Sequence, residues 1–220
     1  MKKTLIILLV VMSFAANIYA QDAVKPATSA GTAGLLFTFS GLDNLGAGDF
    51  EGGFGGKYFF TRNLALRGIV NFTTASQTQP VEGSADMEAS ATVFGVGAAL
   101  EYHFGYKRVS PYLGGGVGFA TTSTEFTAEN YTMKNDMGGQ NVNGATYYGG
   151  TSIEAFGLVG VEFFLFDELS LAAEYRLGFG TNSRSDEEET IGNTTTTTKG
   201  GSGSQFALHS QGFLTLAIYF

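Results

Sequence analysis

Apolar residues alternate with small or polar ones along most of the chain, and the alternation recurs in eight segments, 34–40, 50–59, 64–73, 92–104, 109–120, 152–165, 169–180 and 205–220. A period of two sends successive side chains to opposite faces, so each segment is predicted to be a β-strand with one apolar face. Most are close to the roughly 9–11 residues that a tilted strand needs to cross a bilayer. The connections at 60–63, 105–108 and 166–168 are tight, whereas 41–49, 74–91, 121–151 and 181–204 are long and polar. An even number of strands joined alternately by short turns and long loops predicts a closed antiparallel up-and-down barrel, all-β, with both termini at the short-turn end.

The two faces differ in chemistry. One parity carries Leu35, Phe37, Leu66, Val70, Phe94, Leu100, Leu113, Val117, Val159, Val161, Leu171 and Leu177, ending on Leu214, Leu216, Ile218 and Phe220. No charge falls on it. Arg or Lys at a bilayer midplane costs about 2–4 kcal/mol, so this is the face expected to meet hydrocarbon. The other parity carries Glu51, Lys57, Arg67, Asn71, Glu101, Glu154, Glu162, Glu174 and Arg176, mixed with Gly53, Gly55, Gly95, Gly97, Gly114, Gly116 and Gly118. Aromatics crowd the short-turn ends. Tyr58, Tyr102, Phe104, Tyr106, Tyr112, Phe163 and Phe166 are expected to form a girdle at one membrane interface, with Phe59, Phe60, Phe164, Tyr219 and Phe220 on the same rim.

An eight-stranded barrel has room inside only for side chains or one small ligand. The inward Arg67, Glu101, Glu162, Glu174, Arg176, Glu51 and Lys57 are therefore expected to form an interior ionic ladder, since buried charges persist only when paired. Arg67 is expected to meet Glu101, and Arg176 to meet Glu162 or Glu174. Inward acids outnumber inward bases, and Glu51 and Glu154 are left over at strand ends near the loops. The inward glycines either leave a water-filled gap beside the fourth and fifth strands or let opposing side chains fit.

At the N-terminus, Lys2 and Lys3 precede an apolar run from Leu5 to Ala16 and then Ala20-Gln21, the layout of a cleavable secretory signal. The expected organisation is a signal peptide over 1–20, a short periplasmic tail over 21–33 and a barrel over 34–220. No later segment reaches the roughly 20 apolar residues of a membrane helix. Of 12 basic and 20 acidic residues, removal of Lys2 and Lys3 leaves 10 against 20, a formal charge of −10. That balance argues against nucleic acid as a partner. There is no cysteine, which removes disulfides and thiolate chemistry.

Catalytic chemistry finds little support. His209 adjoins Ser210, but adjacent strand residues point to opposite faces, and His103 reads as an interfacial filler. No enzyme activity, cofactor or metal site is expected. The Gly-x-Gly pattern at 114–118 belongs to a strand and not to a phosphate loop. Residues 181–204, with Asp186-Glu187-Glu188-Glu189, five threonines and a Gly/Ser run, have the composition of solvated, mobile chain. Residues 121–151 add Tyr131, Met133, Met137, Tyr147 and Tyr148, a possible recognition surface for an external ligand.

Four stretches together resemble a known family: Tyr58-Phe59-Phe60-Thr61-Arg62-Asn63-Leu64-Ala65-Leu66-Arg67, Val109-Ser110-Pro111-Tyr112-Leu113-Gly114-Gly115-Gly116-Val117-Gly118, Leu171-Ala172-Ala173-Glu174-Tyr175-Arg176 and the terminal strand. The chain from about residue 30 to 220 is similar to the small eight-stranded outer-membrane barrels of Gram-negative bacteria, the OmpA/OmpX-like group. The resemblance implies a final strand (Leu214, Leu216, Ile218, Phe220) read by the barrel-assembly machinery, and the expected state is a monomer in contact with outer-membrane lipid and lipopolysaccharide. The sequence ends with the barrel, so nothing in it is expected to correspond to the periplasmic peptidoglycan-binding domain that some relatives append. A structural or surface-interaction role is the expected function. The alternatives are a narrow channel or small-ligand carrier, and a secreted soluble lipocalin-like barrel with the two faces exchanged.

Overall fold

Alternation becomes backbone pairing in the computed structural model, which describes residues 25–40, 52–105 and 107–220, the side chains of 39, 40, 52 and 203–211 excepted. The predicted signal peptide, Glu51 and Tyr106 lie outside the described residues, as do the side chains of His209 and Ser210. Thirteen strands form among the described residues: β1 (Ala33–Ser40), β2 (Gly52–Phe59), β3 (Leu64–Gln79), β4 (Met87–His103), β5 (Val109–Ala128), β6 (Tyr131–Lys134), β7 (Gln140–Val142), β8 (Ala145–Tyr147), β9 (Gly150–Phe164), β10 (Leu169–Arg184), β11 (Glu187–Ile191), β12 (Thr194–Thr198) and β13 (Ser202–Tyr219). Eight of them close a barrel in the order β1-β2-β3-β4-β5-β9-β10-β13, every neighbour antiparallel. Closure is made by β1 against β13, with Leu35 opposite Ile218 and Phe37 opposite Leu216. A closed sheet leaves no unpaired backbone edge, the condition for a strand structure to sit in hydrocarbon.

The apolar parity faces outward. Phe54, Leu66, Val117, Val159 and Val161 are all exposed on the outer wall, while Lys57, Arg67, Glu101, Glu162 and Glu174 are buried in the lumen. An exposed apolar patch of this extent would aggregate in water. The lipocalin-like alternative requires the reverse arrangement and is not favoured.

The long extensions beyond the predicted ends lie on the loop side. β3 reaches Gln79 and β5 reaches Ala128, and their pairing with β4 continues through Thr78 opposite Glu88 and Glu88 opposite Thr127. These extensions are rich in Thr, Ser and Ala, which keep β geometry in water after the hydrophobic alternation has stopped. Loop residues then build on them. β6 pairs with the end of β5, β11 pairs with β6, and β12 pairs with β11, so the sheet grows sideways outside the barrel.

The expectation of mobile chain over 181–204 is thus corrected. The threonine run is β12, and it pairs with β11 around the two-residue turn Gly192-Asn193, where Gly192 has φ +59°. A Gly-Asn pair between β-branched segments is a hairpin signal, and β-branched threonine favours strand over coil. Side chains hold the hairpin to the preceding loop, where the Met137 amide donates to Glu187 Oε2 at 2.8 Å and Arg184 Nη1 to the Met137 carbonyl at 2.8 Å. The β7–β8 hairpin sets Val142 against Ala89 and Ala91.

At the other end the lumen is stoppered. Leu36, Phe59, Ala65, Phe164, Ala217 and Tyr219 form a buried cluster, joined by Ala27 from the segment before β1. That segment is pinned by the Lys25 amide to Asp167 Oδ1 at 2.8 Å and the Gly31 amide to the Phe59 carbonyl at 2.8 Å.

Candidate functional site

The inward residues of the turn-side half meet in one charge cluster. Lys57 on β2 and Arg67 on β3 are paired in register, so both cations leave neighbouring strands at the same height. Lys57 Nζ lies 2.9 Å from Glu101 Oε2 and 3.3 Å from Glu162 Oε2. Arg67 Nη1 lies 3.0 Å from Glu101 Oε1. The same guanidinium crosses the lumen to Glu174 on β10, with Nη1 donating to Oε2 at 2.7 Å and Nη2 to Oε1 at 3.0 Å. Arg176 Nε donates to the same Glu174 Oε1. Three cations, Lys57, Arg67 and Arg176, therefore face three carboxylates, Glu101, Glu162 and Glu174.

Neutral groups complete the carboxylates' hydrogen bonding. Tyr112 donates its hydroxyl to Glu174 Oε2 at 3.0 Å, and Tyr219 and Ser170 donate to Glu162 Oε1. His103 stacks on Tyr112 with ring centroids 5.0 Å apart, its Nε2 3.3 Å from Glu101 Oε2 and its Nδ1 3.0 Å from Ser110 Oγ. Lys57 Nζ sits 5.4 Å from the Tyr112 ring centroid. A low-dielectric interior strengthens each of these contacts and makes any unmatched charge costly, so the balance of three against three is what allows the cluster to be buried.

Glycine positions let the tyrosines reach. Tyr112 is paired with Gly160 across β5 and β9, and a Cβ on Gly160 would stand 2.4 Å from Tyr112 Cζ. Tyr219 is paired with Gly34 across β13 and β1, and a Cβ there would stand 2.6 Å from its ring. Each ring lies flat over a bare backbone, which turns its hydroxyl along the wall toward a carboxylate.

Several sequence expectations meet this geometry directly. Arg67 and Glu101 are brought together, and of the two partners offered to Arg176 the structure chooses Glu174. Lys57, given no partner from the sequence, bridges Glu101 and Glu162. The contact between Arg67 and Glu174 joins strands that are not neighbours and was not anticipated.

Tyr112 requires a correction. Placed by the sequence on the aromatic girdle, it is 1 % exposed and lies in the lumen, because it shares the parity of Ser110 and Gly114. Phe59, Phe164 and Tyr219 turn inward for the same reason, and His103 belongs to the cluster and not to the interface. Proximity to a turn says which rim a residue is near, whereas parity says which face it is on. Tyr58, Tyr102, Phe104 and Phe166 are exposed on the outer wall, and Phe163 packs beneath Arg108 with the guanidinium carbon 4.9 Å from its ring centroid.

Above the cluster, toward the loops, lies a cavity of about 360 Å³ bounded by β3, β4, β5, β9 and β10. Gly95, Gly97 and Gly118 line it, so the gap considered beside the fourth and fifth strands is present. Glu154 stands in its wall. Among the described residues, no group of three or more His, Asp or Glu side chains is arranged to hold a metal ion.

The sequence matches the family model for the outer membrane protein beta-barrel domain over residues 6–211. The chain belongs to that family. It is a protein of the Gram-negative outer membrane, so the turn end is periplasmic and the loop end external. No curated protein matches it by sequence. Among solved structures it is similar to the outer membrane protein OprG of Pseudomonas aeruginosa, at 14% identity with a TM-score of 0.46, covering 90% of this chain and 99% of that one. It is also similar to Ail, the attachment invasion locus protein of Yersinia pestis, solved in complex with the heparin analogue sucrose octasulfate, at 13% identity and a TM-score of 0.42, covering 87% and 99%. The N-terminal β-barrel domain of Pseudomonas aeruginosa OprF is a third, at 11% identity and 0.40, covering 87% and 98%.

Proposed function

We propose that this barrel is a closed, non-catalytic element of the outer membrane whose work is done by its outer wall and its external strands. The observation that carries the reading is the balanced cluster of Lys57, Arg67, Arg176, Glu101, Glu162 and Glu174, drawn from five strands and sealed below by the Phe59, Phe164 and Tyr219 stopper. An ion passing through would have to part these contacts in a low-dielectric space, at several kcal/mol for each charge left unpaired. Such a wall fits a monomer surrounded by lipid and lipopolysaccharide. The outward stripe of Leu214, Leu216, Ile218 and Phe220 fits the signal read by the barrel-assembly machinery, and the sheet formed by β5, β6, β11 and β12 offers a surface for an external partner.

Planar-bilayer recording on the folded barrel tests this. The wild-type protein is expected to give no steady unitary current, and the double variant Arg67→Ser/Glu174→Ser, which removes the cross-lumen bridge without changing net charge, is expected to give measurable conductance. Steady currents from wild-type protein would favour the channel reading, to which the cavity above the cluster lends its one specific support.

A further inference from the structure

Charge stops balancing in the external half of the lumen. Glu154 projects from β9 into the cavity of about 360 Å³, and the residues paired with it on both sides are glycines, Gly118 on β5 and Gly180 on β10. Neither of these paired positions supplies a side chain to cover the carboxylate. Gly118 approaches so closely that a Cβ there would lie 3.2 Å from Glu154 Cγ. Across the space, Cβ atoms on Gly95 or Gly97 would meet nothing nearer than 3.5 Å, so these glycines are what keep the cavity empty of protein.

No cation of the described residues neutralises Glu154. Both guanidiniums that line the cavity are committed elsewhere. Arg67 is held by Glu101 and Glu174, and Arg176 by Glu174, with its guanidinium carbon 4.9 Å from the Phe156 ring centroid and 4.0 Å from that of Phe213. The floor of the cavity is therefore a neutral set of three cations and three carboxylates, and among the described residues the wall adds one uncompensated negative charge. The remaining polar lining, Asn71, Ser152, Thr181 and Asn182, is neutral and able to hydrogen-bond. External strands carry Glu125, Glu187, Glu188 and Glu189, which bias the approach toward positive solutes.

The geometry points to a binding site for a small hydroxylated organic cation, with Glu154 as its counter-ion and the amide and hydroxyl side chains as partners for its hydroxyl groups. The volume lies at the small end of the roughly 300–1,000 Å³ typical of ligand pockets, which suits a solute of monosaccharide size. Selection is by charge. A carboxylate with no ion-pair partner among the described residues gains a charge-assisted hydrogen bond from an ammonium group, whereas an anion of the same shape is repelled. The site ends blindly on the cluster beneath it, so the inference concerns binding and not passage.

Isothermal titration of the barrel folded in detergent micelles, with D-glucosamine, N-acetylglucosamine and glucuronate, tests the charge preference on a nearly constant scaffold. A heat-sensitive shift in gel mobility verifies folding of each variant. The wild-type protein is expected to bind glucosamine and to bind the neutral and anionic sugars at least tenfold more weakly. Glu154→Gln is expected to weaken glucosamine by about tenfold, equivalent to about 1.4 kcal/mol, and Glu154→Lys to turn the preference toward glucuronate. Gly97→Val, which fills the cavity and keeps the carboxylate, is expected to lose all three. Equal binding of the three sugars, no glucosamine binding by folded wild-type protein, unchanged affinity in Glu154→Gln, or retained binding in Gly97→Val would each overturn the assignment.

Discussion

Replacing Glu101 by Gln removes the carboxylate on which both inner cations converge. In the native lumen Glu101 is fully buried, 2.9 Å from Lys57 and 3.0 Å from Arg67. Without it, Lys57 retains only Glu162 at 3.3 Å and Arg67 only Glu174, so three cations share two carboxylates. At an effective dielectric of about 20, each lost contact near 3 Å amounts to roughly 5–6 kcal/mol of attraction before desolvation is set against it. The net cost of leaving one buried charge unmatched is about 3–5 kcal/mol. Removing the surplus cation as well, in Lys57→Met/Glu101→Gln, restores two against two. The double variant is therefore expected to be less destabilised than the sum of the single variants by about 1–3 kcal/mol. Equilibrium unfolding by urea in lipid vesicles, followed by far-ultraviolet circular dichroism because the chain lacks tryptophan, gives all four stabilities of the cycle. Additivity within about 0.5 kcal/mol, or a Glu101→Gln variant as stable as wild type, would refute charge matching as the reason for the cluster.

Other expectations follow from the same geometry. Gly160→Ala places a methyl group into the Tyr112 ring, so it should cost about 1–3 kcal/mol in the same unfolding assay; Tyr112→Phe, which loses only the hydroxyl bond to Glu174, should cost about 1–3 kcal/mol without moving the backbone. Val159→Arg, on the outer wall midway along the membrane part of β9, should lower stability in bilayers by about 2–4 kcal/mol, while Phe166→Arg beside a periplasmic turn should cost about 0–1 kcal/mol; equal losses would place the hydrocarbon layer elsewhere. Exchanging residues 187–198 for a Gly-Gly link removes β11 and β12 but no barrel strand, so the barrel should still show its heat-sensitive mobility shift, and failure to fold would make the external sheet part of the barrel's own stability.

The alternation of Leu35, Phe37, Leu66, Val70, Val159, Val161, Leu216 and Ile218 with glycine and charge was enough to specify strands, their outward face, the number crossing the membrane and the order of short and long connections. These are local properties. A two-residue period and a turn each depend on near neighbours in the chain, and a bilayer accepts only one side of such a strand. The same parity rule places Tyr112, Phe59, Phe164, Tyr219 and His103 inside, because face is set by parity and not by closeness to a turn.

Tertiary structure alone decided what the inward charges do. Arg67 and Glu174 are separated by three intervening barrel strands either way around, and only closure of the sheet brings them across a lumen to a bidentate contact. Register set the rest. Pairing Tyr112 with Gly160 and Tyr219 with Gly34 gave the rings room to reach carboxylates, whereas pairing Glu154 with Gly118 and Gly180 left it uncovered. A sequence states which residues lie inside, but which of them touch depends on the stagger between strands far apart in the chain.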